Sequence, residues 1–64
     1  MTFTLKSKEL DNGYYINIEQ DKFSSAYKVN MIDKFGRIER SNIYGDMDKA
    51  RRCFYSYTSQ AKKF

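Results

Sequence analysis

Histidine is absent from the 64 residues, and cysteine occurs once, at Cys53. Those two facts bound the chemistry open to the chain. Without an imidazole, the side chain that most often serves as general base near neutral pH is missing. Cys53 has nothing beside it to draw off its proton and falls at the edge of an apolar stripe, so it reads as a small buried hydrophobe. One cysteine without histidine cannot complete a structural zinc site, and it excludes an intramolecular disulfide. Neither a G-x-x-x-x-G-K nor a G-x-G-x-x-G phosphate loop is present. Asp46 and Asp48 form a close carboxylate pair beside Gly45 and could ligate Mg²⁺. Two acids at a helix start ordinarily cap free N–H groups and answer the helix dipole instead. Asp33, shortly before Gly36, is a turn residue on the same logic. The expectation is a protein with no catalytic set, no cofactor and no metal.

Side chains suited to binding are better supplied. The net charge is +4, and it is uneven: residues 1–44 carry seven cations against six acids, whereas residues 45–64 carry five against two. The positive field therefore belongs to the last third of the chain. Lys49, Arg52 and Lys63 share the outer surface of a predicted helix there, and Arg51 and Lys62 line one side of it. Such a face can hold a phosphate backbone, although a merely solvated helix is also rich in lysine and arginine. Arginine beside an aromatic, as with Arg51, Arg52 and Tyr55, suits stacking and protein hot spots alike. Six Tyr and five Phe are many for this length. The candidate contact residues are Tyr15, Lys49, Arg51, Arg52, Tyr55 and Lys63.

The elements that must position these residues are legible from periodicity. Asp46 to Phe64 reads as an amphipathic helix, with Met47, Ala50, Cys53, Phe54, Tyr57, Thr58, Ala61 and Phe64 on one arc. Asp46 is its N-cap, and Lys62 and Lys63 sit at the favoured end of its dipole. Four strands precede it, over about residues 2–10, 14–20, 26–32 and 37–44. In the first, Phe3 and Leu5 alternate with Thr2, Thr4 and Lys6. Asn12-Gly13 predicts a type I′ hairpin turn into the second, where Tyr14, Ile16 and Ile18 face inward. Phe23 is expected to tuck beneath the loop that follows. Tyr27, Val29 and Met31 face inward from the third strand, and Asp33 to Gly36 predicts a type I turn closed by a positive-φ glycine. Ile38 and Ile43 have opposite parity, which predicts a bulge or an early end near Ser41. The expected fold is α+β: one domain of order ββββα, an antiparallel meander with the helix across one face. The expected core is Phe3, Leu5, Tyr14, Ile16, Ile18, Tyr27, Val29, Met31, Ile38, Met47, Ala50, Phe54, Tyr57 and Ala61.

A helix on one face leaves the other open, with Thr2, Thr4, Tyr15, Asn17, Glu19, Lys28, Asn30, Ile32, Arg37 and Glu39 on it. A sheet face of this kind can enter a major groove, with Asn17, Lys28, Asn30 and Arg37 reading bases and phosphates. Glu19 and Glu39 on the same face would repel phosphates. In its order of elements, from about residue 13 to residue 60, the chain resembles the sheet-plus-C-terminal-helix DNA-binding domains of plant AP2 regulators and of some integrase arm-binding domains. That resemblance implies a DNA-binding alternative.

The leading expectation is a non-catalytic binding protein that docks on a protein or ribonucleoprotein. In size and architecture the chain is similar to small phage and mobile-element proteins that block host defences, anti-CRISPR proteins among them. The abundance of Lys, Asn, Tyr and Ile, with no Trp or Pro, suggests an AT-rich coding sequence and points the same way. A homodimer through the open sheet face or a sheet edge would compensate for a small core. With no basic segment leading into an apolar run and no stretch of about 20 apolar residues, a cytoplasmic protein without membrane contact is expected.

Overall fold

The computed structural model describes residues 2–64. Four strands, β1 (Thr2–Glu9), β2 (Tyr15–Asp21), β3 (Tyr27–Ile32) and β4 (Ile38–Tyr44), form an antiparallel sheet in the order β1-β2-β3-β4. Helix α1 (Met47–Ala61) follows and packs mainly on β2, β3 and β4. This is the expected ββββα meander. No described helix is long and apolar enough to cross a membrane.

The core lies between α1 and the central strands. Ile16, Ile18, Val29 and Met31 are fully buried beneath Ala50, Cys53, Phe54, Tyr57 and Ala61. Each large side chain so buried contributes about 1.5–3 kcal/mol. Tyr14 is also buried, and Leu10, Tyr27, Tyr44 and Met47 pack against the cluster's margin. The helix begins as its sequence requires. Asp46 has extended backbone, its carboxylate accepts from the Asp48 N–H at 3.0 Å, and its carbonyl accepts from Ala50 N–H at 3.1 Å.

Two bulges decide which side chains reach the helix. In β1, Thr4 pairs with Glu19 and Lys6 with Ile18, so Leu5 is an extra residue. Parity flips there. Lys6 and Lys8 move to the helix side, and Ser7 and Glu9 to the open side. Because α1 packs mainly on the other three strands, Phe3 and Leu5 stay about half exposed rather than joining the core. Lys6 instead closes the core's edge. Its ammonium donates to Tyr55 Oη at 3.1 Å and lies 5.5 Å from the Phe54 ring centroid.

In β4, Met31 pairs with Arg40 and Ile32 with Ile38, which leaves Glu39 as the extra residue. The bulge expected near Ser41 thus lies two positions earlier, and the strand continues to Tyr44. Ile38 and Ile43 consequently share the open face and are 57% and 66% exposed. Ile38 is not a core residue. Glu39 turns back to accept the Tyr14 phenol at 2.7 Å.

The hairpin turns divide in the same way. Gly36 donates to the Asp33 carbonyl at 3.0 Å with φ +82°, as expected. The first turn is not type I′, because among the described residues no non-glycine has positive φ, Asn12 included. Gly13 (φ +91°) donates to Leu10 O, and Leu10 donates to Tyr14 O, which makes a three-residue loop with a glycine bulge. Asn12 is thereby free to donate its amide to the Ala61 carbonyl at 2.8 Å, tying the hairpin to the last turn of α1. Phe23 does not tuck under its loop. It is 87% exposed, with the Lys22 ammonium 5.9 Å from its ring centroid.

Candidate functional site

The outer surface of α1 divides into two flanks. Toward β4, the helix and strand bound an open cleft of about 520 Å³. Its rim carries three cations, Arg40 from β4 and Lys49 and Arg52 from α1. Asn42, Ser56 and Gln60 supply neutral polar groups, and Tyr44, Cys53 and Tyr57 form the floor. No carboxylate lines it. The Glu39 bulge creates this arrangement by placing Arg40, Asn42 and Tyr44 on the helix side of β4.

The floor is hydrogen-bonded and neutral. Asn42 donates its amide to Tyr57 Oη at 2.9 Å. Hydrogen bonding to Cys53 pushes the Tyr44 phenol above its ordinary pKa, and burial reinforces that rise. Burial first, and then Cys53, pushes Tyr57 in the same direction. Both phenols therefore keep their protons at neutral pH, and the cleft's charge is set by its three cations. Cys53 is buried, as its position on the apolar stripe predicted.

Arg51 and Tyr55 lie on the other flank. Arg51 reaches Asp48 at 3.6 Å, an exposed pair of little energetic weight. Tyr55 accepts from Lys6, and that ammonium lowers its phenol pKa. Arg52 stands on the ridge between the flanks, since it also borders a small pit with Asp48, Arg51 and Tyr55. Lys63 is exposed past the end of the helix. Tyr15 is half-buried on β2 and, opposite Ile32, lies on the far side of the sheet. Of the six contact residues read from the sequence, the structure brings Lys49 and Arg52 to one cleft, Arg51 and Tyr55 to another flank, and leaves Tyr15 and Lys63 apart.

The open sheet face holds Asn17, Asn30 and Lys28 as expected, but two of them are not free. Asn17 and Asn30 are 4% and 2% exposed. Asn30 donates its amide to Asn17 Oδ1 at 2.9 Å and accepts Ser41 Oγ at 2.9 Å, while Asn17 donates to Glu19 at 3.0 Å. The three cross-strand neighbours thus form a closed polar ladder. Lys28 pairs across the strands with Glu19, beside a shallow pocket of about 260 Å³ that also includes Asp21 and Ile43. Arg37 is exposed where the Asp33 turn meets β4, and its backbone N–H donates to the Asp33 carboxylate.

Arg40, Asn42 and Gln60 were not singled out by sequence reasoning, whereas Tyr44 was read there as a partly exposed aromatic suited to a contact surface. The signal that could have placed the strand residues on the helix side is the parity conflict between Ile38 and Ile43, had its bulge been placed at Glu39. No protein-family model, curated protein or solved structure matches the chain.

Proposed function

We propose that this chain is a non-catalytic binding protein that docks on a protein or ribonucleoprotein surface through the cleft between β4 and α1. The supporting observation is the charge of that cleft: Arg40, Lys49 and Arg52 on its rim with no carboxylate among its lining residues. An acidic surface complements it, and arginines beside aromatic floors are the usual hot-spot chemistry. A domain of this kind acts by occupying the surface it binds, so competition with the partner's other ligands is the expected effect. The same cations suit phosphates. Recognition of naked DNA by the sheet face is less well supported, because the Asn17 and Asn30 amides are committed to one another.

The test is affinity capture from host lysate, with and without nuclease, using three forms of the protein. These are the parent chain, Arg40→Gln/Lys49→Gln/Arg52→Gln in the cleft, and Lys22→Gln/Lys34→Gln/Lys62→Gln with the same charge change elsewhere. A discrete protein partner should survive nuclease, persist with the second triple variant and disappear with the cleft variant. Capture that vanishes with nuclease would replace this reading with nucleic-acid binding. Retention of the same partner by the cleft variant would remove the cleft as the site.

A further inference from the structure

The sheet's two edges differ. β1 carries its bulge in mid-strand, at Leu5, and projects Lys6 and Lys8 beside it, two devices that discourage pairing with another strand. β4 has its bulge at Glu39, close to its start, and from Arg40 to Tyr44 its register with β3 is unbroken. As the last strand in the sheet, β4 turns its outer backbone N–H and C=O groups away from β3, and no described side chain or loop bonds to them. The regular stretch of this edge is also one wall of the cationic cleft.

Side chains of a strand alternate between faces, and neighbouring strands keep facing residues about 4.5–5.5 Å apart at Cβ. A strand added to β4 would therefore project every second residue toward Arg40, Lys49 and Arg52. Its intervening residues would lie beside the exposed Ile38 and Ile43. The two sides ask for opposite chemistry.

We infer that the occupant of the cleft is an extended polypeptide segment that pairs with β4 as a fifth strand and alternates acidic with apolar residues. The inference rests on the docking reading above and specifies the partner's conformation and pattern. Main-chain hydrogen bonds supply affinity in strand addition, and alternate side chains supply specificity. A second copy of this chain is a poor occupant, because an antiparallel β4–β4 pair would set one cleft's cations against the other's with no acid between Arg40 and Tyr44 to offset them. Nucleic acid leaves the peptide edge unpaired.

The probe is the end-blocked heptapeptide Glu-Val-Glu-Val-Glu-Val-Glu, titrated into the intact protein and followed by amide NMR. It is compared with a form N-methylated at alternate amides on its pairing edge and with the permuted sequence Glu-Glu-Glu-Glu-Val-Val-Val. The alternating peptide should bind and slow hydrogen exchange at alternate β4 amides. N-methylation or permutation should each weaken it about tenfold, since either removes several paired contacts. The cleft triple variant should weaken it about as much, and Arg40→Glu/Lys49→Glu/Arg52→Glu should restore binding to the Lys-Val counterpart.

Equal binding of the N-methylated or permuted peptide, with the cleft variant still impaired, would overturn strand addition and leave the cationic docking site standing. Binding indifferent to the cleft substitutions would overturn both. A short single-stranded oligonucleotide that binds β4 and α1 more tightly than the alternating peptide would overturn the inference in favour of phosphate recognition. Self-association in sedimentation equilibrium that protects β4 would do so in favour of a second copy.

Discussion

The Asn17–Asn30 pair allows a sharp test of whether the open sheet face is structural. Replacing Asn30 with valine deletes two hydrogen bonds of 2.9 Å, those to Asn17 and Ser41. Ser41 is exposed and can turn to water, but Asn17 Oδ1 is left buried without a partner. One such orphan costs about 1–3 kcal/mol. Valine's preference for strands offsets up to about 1 kcal/mol of that, so the net cost is about 1–2 kcal/mol. Asn17→Val leaves the buried Asn30 amide donor stranded in the same way while Glu19 is released to solvent, and the expected cost is similar. The double variant strands neither amide. It should therefore be more stable than the sum of the single effects predicts, by about 1–2 kcal/mol, because removing both partners of a buried bond is far less costly than removing one. A domain of this size has about 3–10 kcal/mol in total, so all three variants should fold. Urea unfolding followed by circular dichroism resolves the effect, because at about 1 kcal/mol per molar urea each single variant moves the midpoint by about 1–2 M. Additivity within about 0.5 kcal/mol, or single variants as stable as the parent, would refute the closed ladder and return Asn17 and Asn30 to the pool of free recognition groups.

Three further outcomes test the framework around the cleft. Phe54→Ala, at a position 2% exposed on the sheet-facing side of α1, should cost about 3–5 kcal/mol by urea unfolding, and a parental midpoint would mean that the helix does not pack on this sheet. The Tyr14 phenol is pushed up to about 12, chiefly by its hydrogen bond to Glu39. Its contribution is therefore complete below the unfolded tyrosine value of about 10 and is lost as pH rises through about 12. The Tm advantage of the parent over Tyr14→Phe should accordingly shrink between about pH 10 and 12, and a gap that holds or widens would contradict the bond. Gly13→Ala and Gly36→Ala share positive φ, but the added Cβ meets Lys34 Cβ at 2.8 Å only at Gly13. Both should destabilise by about 1 kcal/mol or more, with Gly13→Ala the worse, and equal losses would deny the approach of the two hairpin loops.

Much of the architecture was legible along the chain because periodicity is a local property. Alternation in Tyr14 to Gln20 and Ala26 to Ile32, and the 3.6-residue repeat from Met47 to Ala61, are each written in a single element. The Asp46 cap and the Asp33–Gly36 turn likewise need only neighbouring residues. The uneven charge placed the basic surface on the helix, where Lys49 and Arg52 do line the cleft.

Tertiary structure alone decided the register. An extra residue at Leu5 or Glu39 carries no marker in its own side chain, because a bulge answers to where the neighbouring strand and the helix lie. Each shift inverts every later position in its strand. The first put Lys6 under Tyr55, while Phe3 and Leu5 stayed half exposed because α1 leaves this edge uncovered. The second put Arg40 on the helix side although Ile38, just ahead of the bulge, faces the open one. Asn12, read as a turn former, became the clasp on Ala61 only because folding brings residues 49 positions apart together. The sequence by itself determined which elements form and which face of each is apolar, since those depend on short-range spacing. Which cations meet across the cleft, and which amides close on one another, followed from pairing between strands that no local spacing encodes.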